Sequence, residues 1–233
     1  MHGGGREFGM RITGTRILAG ILIASWAFFA SYYWLWLPFK HQWMMLKVAG
    51  LVYQGGPILL VGDSILAGLP ATACALSLAV PGMQSATLDA DHASAVASRQ
   101  PSRVIVMIGI NDLRSGAAPL DVAGSIGRFV SAVQERAPNA VIVVLSILPV
   151  IENEMTAKGT NALIKQANEA IRSVTLKLHA QYVDITGLFG GDALTPSSTY
   201  DGLHLNAHGS SILANALFQG LARKANTPLC SPR

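Results

Sequence analysis

Short apolar runs alternate with amphipathic stretches from Pro57 onward, and this alternation constrains the fold more than any other feature of the sequence. Most of the runs are continuously apolar, which is typical of strands covered on both faces. The five predicted strands are Ile58–Val61, Ala75–Val80, Val104–Ile108, Ala140–Leu145 and Tyr182–Ile185. Alternating strands and helices predict an α/β fold in which a five-stranded parallel sheet lies between two layers of helices.

Three stretches between and after these runs have apolar residues at helical spacing. The predicted buried faces are Val122, Ile126, Phe129, Val130 and Val133; Leu163, Ala167, Ile171, Val174 and Leu178; and Ile212, Leu213, Ala216, Leu217 and Leu221. Pro119 suits the first turn of a helix. In open parallel sheets the ligand crevice lies beyond the carboxyl ends of the strands. The residues that follow each strand are therefore the candidates for function.

The N-terminal region has a different character. The run from Ile17 to Leu37 contains no charged side chain and is long enough, as a helix, to cross the roughly 30 Å of a bilayer core. Tyrosines and tryptophans crowd its far end, and three arginines precede it. We predict a basic cytoplasmic arm over residues 1–16, a transmembrane signal anchor over 17–37 and a tether over 38–56.

This reading predicts a single-pass protein of the cytoplasmic (inner) membrane, with an extracytoplasmic or periplasmic domain over residues 57–225 and a tail over 226–233. A cleaved signal peptide is the main alternative, but it requires a shorter apolar core and a site of small residues. A buried core helix is a further alternative. Outside the cytoplasm a disulfide is permitted, and the spacing of Cys74 and Cys230 leaves both a bridge and two separate thiols open.

The distribution of charge excludes a nucleic-acid partner. The formal net charge is +4, but residues 1–50 contain five basic and one acidic side chain, whereas residues 51–233 contain twelve of each. A nucleic-acid footprint needs basic residues clustered in the folded domain. The basic character instead belongs to the arm that precedes the predicted membrane segment.

Four polar or glycine-containing segments follow the predicted strands or precede the last helix. They are Gly62-Asp63-Ser64, Gly82, Gly109-Ile110-Asn111-Asp112 and Asp201-Gly202-Leu203-His204. Each alone has a simple structural explanation as a helix cap or a turn, and Asp63 and Asp112 are interpreted as local backbone caps. Together they fall on one rim of the sheet, which indicates a shared site.

The residue types on this rim suit nucleophilic catalysis. A hydroxyl nucleophile such as Ser64 needs a base and a group that orients the base. Asp201 and His204 stand three positions apart, so the carboxylate can hold the imidazole while Nε2 faces Ser64. A tetrahedral oxyanion needs preorganised donors. The backbone N–H groups of Ser64 and Gly82 and the side-chain amide of Asn111 are three candidates.

The four segments resemble, in the same order, the sequence blocks of the SGNH hydrolases, also called the GDSL family. The continuation Leu205-Asn206-Ala207-His208-Gly209 is similar to that family as well. The resemblance implies a flavodoxin-like three-layer fold, Ser64 as nucleophile, His204 as base and Asp201 as its partner. It also implies that Gly82 and Asn111 belong to the oxyanion hole. The departures are Ile65, where leucine is common, and a second block reduced to little more than its glycine.

Other chemistries have weaker support in the sequence. Asp201, His204 and His208 could imitate a metal-binding face, but Leu205 stands where a zinc protease needs its glutamate. The chain also lacks the Gly-x-Ser-x-Gly elbow and the phosphate-binding glycine motifs. We therefore expect neither a metal nor another cofactor.

The substrate is predicted from the loops and from aromatic content. All four tryptophans lie at or before residue 43, so Tyr200 is the one aromatic side chain near His204 that could serve as a sugar platform. The loops 113–119, 149–159 and 187–199 are short and rich in small or polar residues, which suits small acyl groups. An enzyme tethered to the envelope would meet O-acetylated polysaccharide, so we predict a membrane-anchored esterase that hydrolyses short-acyl, acetyl-type esters on envelope or extracellular carbohydrate. The alternatives are a lysophospholipase- or thioesterase-type GDSL lipase and a non-catalytic polysaccharide-binding or assembly module on the same fold.

Overall fold

The computed structural model of the chain describes residues 58–70, 75–153, 156–157 and 159–221. The predicted basic arm, membrane segment, tether and tail, together with both cysteines, lie outside these residues. Within the part of the chain that is described, no helix is both long and apolar enough to cross a membrane.

The central sheet has five parallel strands in the order β2-β1-β3-β4-β5. Their bounds are β1 Ile58–Gly62, β2 Ala75–Ser77, β3 Arg103–Met107, β4 Val141–Leu145 and β5 Gln181–Val183. The prediction of five parallel strands is confirmed. The edge strand β2 is shorter than predicted, although the N–H groups of Leu78 and Val80 still donate to Leu60 and Gly62 of β1.

In the described ranges, six α-helices connect and cover the strands. They are α1 Ser64–Ala67, α2 Ala90–Ala97, α3 Ile110–Arg114, α4 Pro119–Arg136, α5 Thr160–Lys177 and α6 Ala207–Asn215, the last continuing into a π-helical turn over Ala216–Leu221. Single 3-10 turns occur at Ser85–Thr87, Thr186–Phe189 and Pro196–Ser198. Pro119 occupies the first turn of α4, as predicted.

The sheet separates two apolar layers because successive strand residues point to opposite faces. Leu59 and Val104 pack in one layer with Phe129 of α4. Leu60 and Met107 lie in the other layer, which contains side chains of α1 and α6. The chain therefore folds as a three-layer α/β sandwich, and its strand order is that of flavodoxin-like sheets.

One predicted helical face is partly wrong. The structure buries Ile164, Ala167, Ile171 and Thr175 of α5, whereas the predicted Leu163 is 37% exposed. The buried stripe of α5 is set by its packing against α4, where Gly127 approaches so closely that an added Cβ would lie 2.7 Å from Val174. Neighbouring positions such as 163 and 164 differ by only about 100° around a helix, so apolar periodicity alone does not choose between them.

The strand order changes direction between β1 and β3. In doubly wound sheets a crevice opens at this switch point, beyond the carboxyl ends of the strands. Asp63 and Ser64 follow β1, and Gly109 and Asn111 follow β3. The fold thus brings the first and third predicted segments to adjacent positions.

Candidate active site

Ser64 stands at the junction of β1 and the short helix α1. Gly62 ends β1 beside the backbone of β3, where a Cβ atom would overlap the carbonyl group of Met107. Oδ1 of Asp63 accepts a hydrogen bond from the N–H of Ile65 at 3.0 Å and caps the helix, as predicted. Ser64 is the first residue of α1 and is partly buried.

The electrostatics of Asp63 connect this junction with His204. Burial raises the pKa of the Asp63 carboxyl to about 6, while the N–H of Ile65 and the charge of His204 act to lower it. The nearby carboxylate of Asp112 raises it further. Ile65, next to Ser64, and Leu205, next to His204, pack in the same apolar layer, so the first and fourth segments lie on the same side of the sheet.

Asp201 and His204 are in direct contact within the turn formed by residues 199–205. Oδ2 of Asp201 lies 2.6 Å from Nδ1 of His204, and Oδ1 accepts the N–H groups of Leu203 at 2.9 Å and His204 at 2.7 Å. An ionised carboxylate can only accept, so Nδ1 carries the proton and Nε2 of the neutral ring is an acceptor. Burial alone would raise the pKa of Asp201, but these hydrogen bonds lower it below its ordinary value.

The 199–205 turn is closed by its own backbone and by Thr199. An isolated antiparallel bridge pairs Thr199 with Leu205. Oγ1 of Thr199 accepts from the N–H of Gly202 at 2.9 Å and donates to the carbonyl of His204 at 2.7 Å. Gly202 has φ +88° and lies against Ile151, so a larger residue there would be both strained and crowded. The turn therefore presents Asp201 and His204 as a fixed pair.

Asn111 lies in α3 with its side chain tied to the loop that contains Gly82. Its Nδ2 donates to the carbonyl of Met83 at 3.0 Å. An amide group has two N–H bonds, so this contact orients the group with one N–H committed and a second in a fixed direction. Gly82 has φ +78°, is exposed, and has open space around its α-carbon. The two predicted oxyanion residues therefore sit on two cross-linked elements.

Asp112 strengthens this cross-link. Its buried carboxylate accepts the N–H of Ser85 at 2.9 Å and the hydroxyl of Ser85 at 2.6 Å. The interpretation of Asp112 as a local cap is therefore wrong, because its partner lies 27 positions earlier in the chain. No local sequence signal identifies Met83 or Ser85, since both contacts depend on the approach of the two loops.

Ser64 and His204 are not joined by a hydrogen bond in the part of the chain that is described. Such bonds are often long or absent in a site without substrate and tighten when substrate binds. The arrangement supplies a hydroxyl at a helix start, an imidazole with an accepting Nε2, and an oriented amide. These groups together suit attack on a carbonyl carbon.

Two further surface features are the ring of Tyr200, which lies beside His204, and a groove beside α5. The ring of Tyr200 stacks on that of His204, with centroids 5.8 Å apart and planes inclined by 10°, while remaining 69% exposed. A separate groove of about 790 Å³ runs between α5 and the segment after β5, and its lining includes Lys165, Arg172 and Asp184. None of the predicted site residues lines this groove.

A metal site would require several ligand side chains close together. His208 is exposed on α6, and His204 is committed to Asp201. In the ranges that the structure describes, no three histidine, cysteine or acidic side chains lie together as metal ligands would.

Comparison with known proteins identifies the family of the chain. The sequence profile of the GDSL-like Lipase/Acylhydrolase family matches residues 60–212, which is more than half of the chain. The chain belongs to this family. The matched region contains Ser64, Gly82, Asn111 and the 199–205 turn.

Individual relatives are more distant. Platelet-activating factor acetylhydrolase IB subunit alpha2 of Rattus norvegicus is 29% identical over 122 residues, which cover 52% of this GDSL-like chain and 52% of the rat protein. The chain thus matches about half the length of that relative. The mouse protein of the same name matches to the same extent.

Solved structures reproduce the fold at low identity. A platelet activating factor from Streptococcus pneumonia has a TM-score of 0.70 and 20% identity, covering 88% of this GDSL-like chain and 99% of the other. Est24, a carbohydrate acetylesterase from Sinorhizobium meliloti, has a TM-score of 0.57 and 18% identity, covering 72% and 98%. At these identities the likeness establishes the shared fold.

Proposed function

We propose that the protein is a serine esterase in which Ser64 is the nucleophile, His204 the general base and Asp201 the group that orients His204. The observation that carries this proposal is the 2.6 Å contact between Oδ2 of Asp201 and Nδ1 of His204, together with the position of Ser64 at the start of α1, directly after β1. With the proton held at Nδ1, Nε2 is the atom that can accept the proton of Ser64.

In the first half of the reaction, the oxygen of Ser64 bonds to the ester carbonyl carbon as its proton passes to Nε2 of His204. The tetrahedral intermediate collapses when the carbon–oxygen bond to the alcohol breaks and the imidazolium returns the proton to that alcohol. Water then repeats the sequence on the acyl-enzyme, with His204 as base, and releases the carboxylic acid and Ser64. Asp201 stays ionised throughout, in agreement with its lowered pKa.

The negative oxygen of each intermediate needs donors that are already in place. The second N–H of the Asn111 amide is one such donor, because the bond to Met83 fixes the plane of the group. The backbone N–H groups of Ser64 and Gly82 complete the proposed set. The contact between Asp112 and Ser85 keeps the Gly82 loop against α3.

We further propose that the substrate is a short-acyl ester of a carbohydrate. His204 must reach the oxygen of the departing alcohol, so that alcohol passes beside the exposed ring of Tyr200. A flat, exposed aromatic face favours a sugar ring over a flexible chain. The solved relative Est24 is a carbohydrate acetylesterase, which supports the same choice. A lipid or thioester substrate and a non-catalytic binding module are the alternatives.

We also propose that residues 17–37 anchor the protein in the cytoplasmic membrane and that the esterase domain is extracytoplasmic. The uncharged run, its aromatic end and the arginines before it support this proposal. Washing membranes with carbonate tests the anchor, and a periplasmic reporter fused after Arg233 tests the orientation. Release into the wash, or a reporter active only in the cytoplasm, would contradict the respective statement.

The proposed chemistry is tested by labelling the full-length protein with a fluorophosphonate, which reacts with activated serines. We expect labelling of Ser64, none in Ser64→Ala and strongly reduced labelling in His204→Ala. Ser94→Ala, which removes an exposed hydroxyl on α2, is the matched control and should label normally. Full labelling of Ser64→Ala would show that another serine is the nucleophile.

The substrate is tested with esters of two series. Hydrolysis of p-nitrophenyl esters should fall as the acyl chain lengthens beyond acetyl and propionyl. Acetylated pyranosides should be hydrolysed with a higher kcat/KM than ethyl acetate. A preference for long acyl chains or for lysophospholipid would support the lipase alternative, and inactivity on every ester would support the binding module.

A further inference from the structure

The segment that follows β4, residues 147–153, connects the 199–205 turn with helix α5. At its far end the N–H of Ile151 donates to the carbonyl of Gly202 at 2.8 Å. Nδ2 of Asn153 donates to the carbonyl of Asp201 at 3.0 Å. Two consecutive peptide groups of the 199–205 turn are thus held from outside the turn, and the first of them begins at Asp201, which carries the carboxylate.

Asn153 is itself fixed by a network around Thr156, which is almost completely buried. Oγ1 of Thr156 accepts from the N–H of Asn153 at 2.9 Å and donates to the carbonyl of Ile151 at 2.7 Å. Oδ1 of Asn153 accepts from the N–H of Thr156 at 3.2 Å. With Oδ1 occupied inside its own loop, the amide of Asn153 presents Nδ2 to Asp201.

The near end of the segment is clamped by two asparagines of α5, Asn161 and Asn168, which are seven positions apart and therefore on one face of the helix. Asn168 accepts from the N–H of Ile147 at 2.8 Å and donates to its carbonyl at 2.9 Å. Asn161 makes the same pair of bonds with Val150, both at 2.9 Å. Each amide thus forms hydrogen bonds with both the N–H and the carbonyl of one residue, and these bonds restrict movement of the segment along α5.

We propose that Asn153 is a positioning residue for the esterase reaction, which sets the location of the Asp201 carboxylate, and through it His204, by holding the Asp201 carbonyl. This inference rests on the proposed function. The Asp201 side chain is attached one bond from the held peptide group, so a shift of that peptide moves the carboxylate and the imidazole bound to it. Displacement of a catalytic group by about 1 Å can slow a reaction about 100-fold.

Asn153→Asp is the most informative substitution, because it preserves size and Oδ1 but replaces the donor that faces the Asp201 carbonyl with an acceptor. We expect kcat to fall about 10- to 100-fold with KM nearly unchanged. Asn153→Ser preserves a residue suited to the local turn but cannot reach Asp201, and we expect a fall of about 10-fold. Asn139→Asp, the same change at an exposed site in the turn before β4, is the matched control and should leave kcat unaltered.

Testing Asn153→Ser in an Asp201→Ala protein distinguishes a positioning role from a general structural role. Asp201→Ala keeps the backbone carbonyl but removes the carboxylate, so Asn153→Ser has nothing left to position and should not lower the residual kcat further. Thermal unfolding of all variants is measured, and rates are compared well below each midpoint. An undiminished kcat in both Asn153 variants would overturn the proposal, and so would an equal loss in the Asp201→Ala background. Failure of the proposed function itself has a different signature, namely a wild-type protein without esterase activity or Ser64 labelling.

Discussion

Asp63→Asn should stabilise the protein at neutral pH, although it changes a residue of the motif that defines the proposed nucleophile. The Asp63 carboxyl is 1% exposed, and its pKa is raised from 3.8 to about 6 mainly by burial. Above pH 6 the folded protein must therefore keep a charge in a place that favours the neutral acid. Asparagine is neutral, nearly the same size, and also accepts the N–H of Ile65 as a helix cap.

The magnitude follows from the two pKa values. The shift of about 2 units, at about 1.4 kcal/mol per unit, corresponds to about 3 kcal/mol. Between pH 3.8 and 6 the folded state binds more protons than the unfolded state, so the free energy of unfolding of the wild type falls as pH rises. It falls no further, on account of this group, above about pH 6. The advantage of Asp63→Asn should thus be small near pH 4 and reach about 2–3 kcal/mol at pH 7.5.

The assay is urea unfolding of both proteins at pH 4, 5, 6 and 7.5, followed by circular dichroism. Asp192→Asn, which removes an exposed carboxylate after β5, is the control for the loss of one negative charge at the surface. If the difference in the free energy of unfolding between the two proteins does not change with pH, burial does not raise the pKa of Asp63. If the variant instead becomes less stable than the wild type as pH rises, the ionised carboxylate is stabilised by its surroundings, where the N–H of Ile65 and the charge of His204 act to lower its pKa.

Three further outcomes are expected. Asn111→Ala should lower kcat about 10²–10³-fold with little change in KM, because an oxyanion donor acts mainly in the transition state; unaltered turnover would remove Asn111 from the mechanism. Ser85→Ala removes the hydroxyl that donates to the buried Asp112, so it should destabilise the protein by about 1–3 kcal/mol in chemical denaturation and also lower kcat. A loss of stability without a loss of kcat would show that this hydrogen bond does not position the Gly82 loop. Gly62→Ala should abolish the thermal unfolding transition or lower its midpoint strongly, since a Cβ would overlap the carbonyl group of Met107. A wild-type midpoint would contradict that packing.

The alternation of apolar runs and amphipathic stretches was sufficient to predict the sheet. Burial of β1, β3 and β4 on both faces requires continuous apolar sequence, and that requirement is visible in the runs themselves. The contact of Asp201 with His204 could also be predicted, because three positions of separation bring the two side chains together within one turn. Local spacing carries such information without knowledge of the rest of the fold.

The tertiary structure decided what lies between the segments. Met83 orients Asn111 across 28 positions, Ser85 binds Asp112 across 27, and Asn153 binds the Asp201 carbonyl across 48. Each of these contacts joins loops that meet only because the strands end at one edge of the sheet. The residues involved are ordinary turn and cap types, whose local possibilities are many. The sequence alone identified the candidate reactive groups, and the assembled sheet determined which backbone atoms hold them in place. The reason is that long-range hydrogen bonds depend on the approach of separate loops and leave no periodic pattern in the chain.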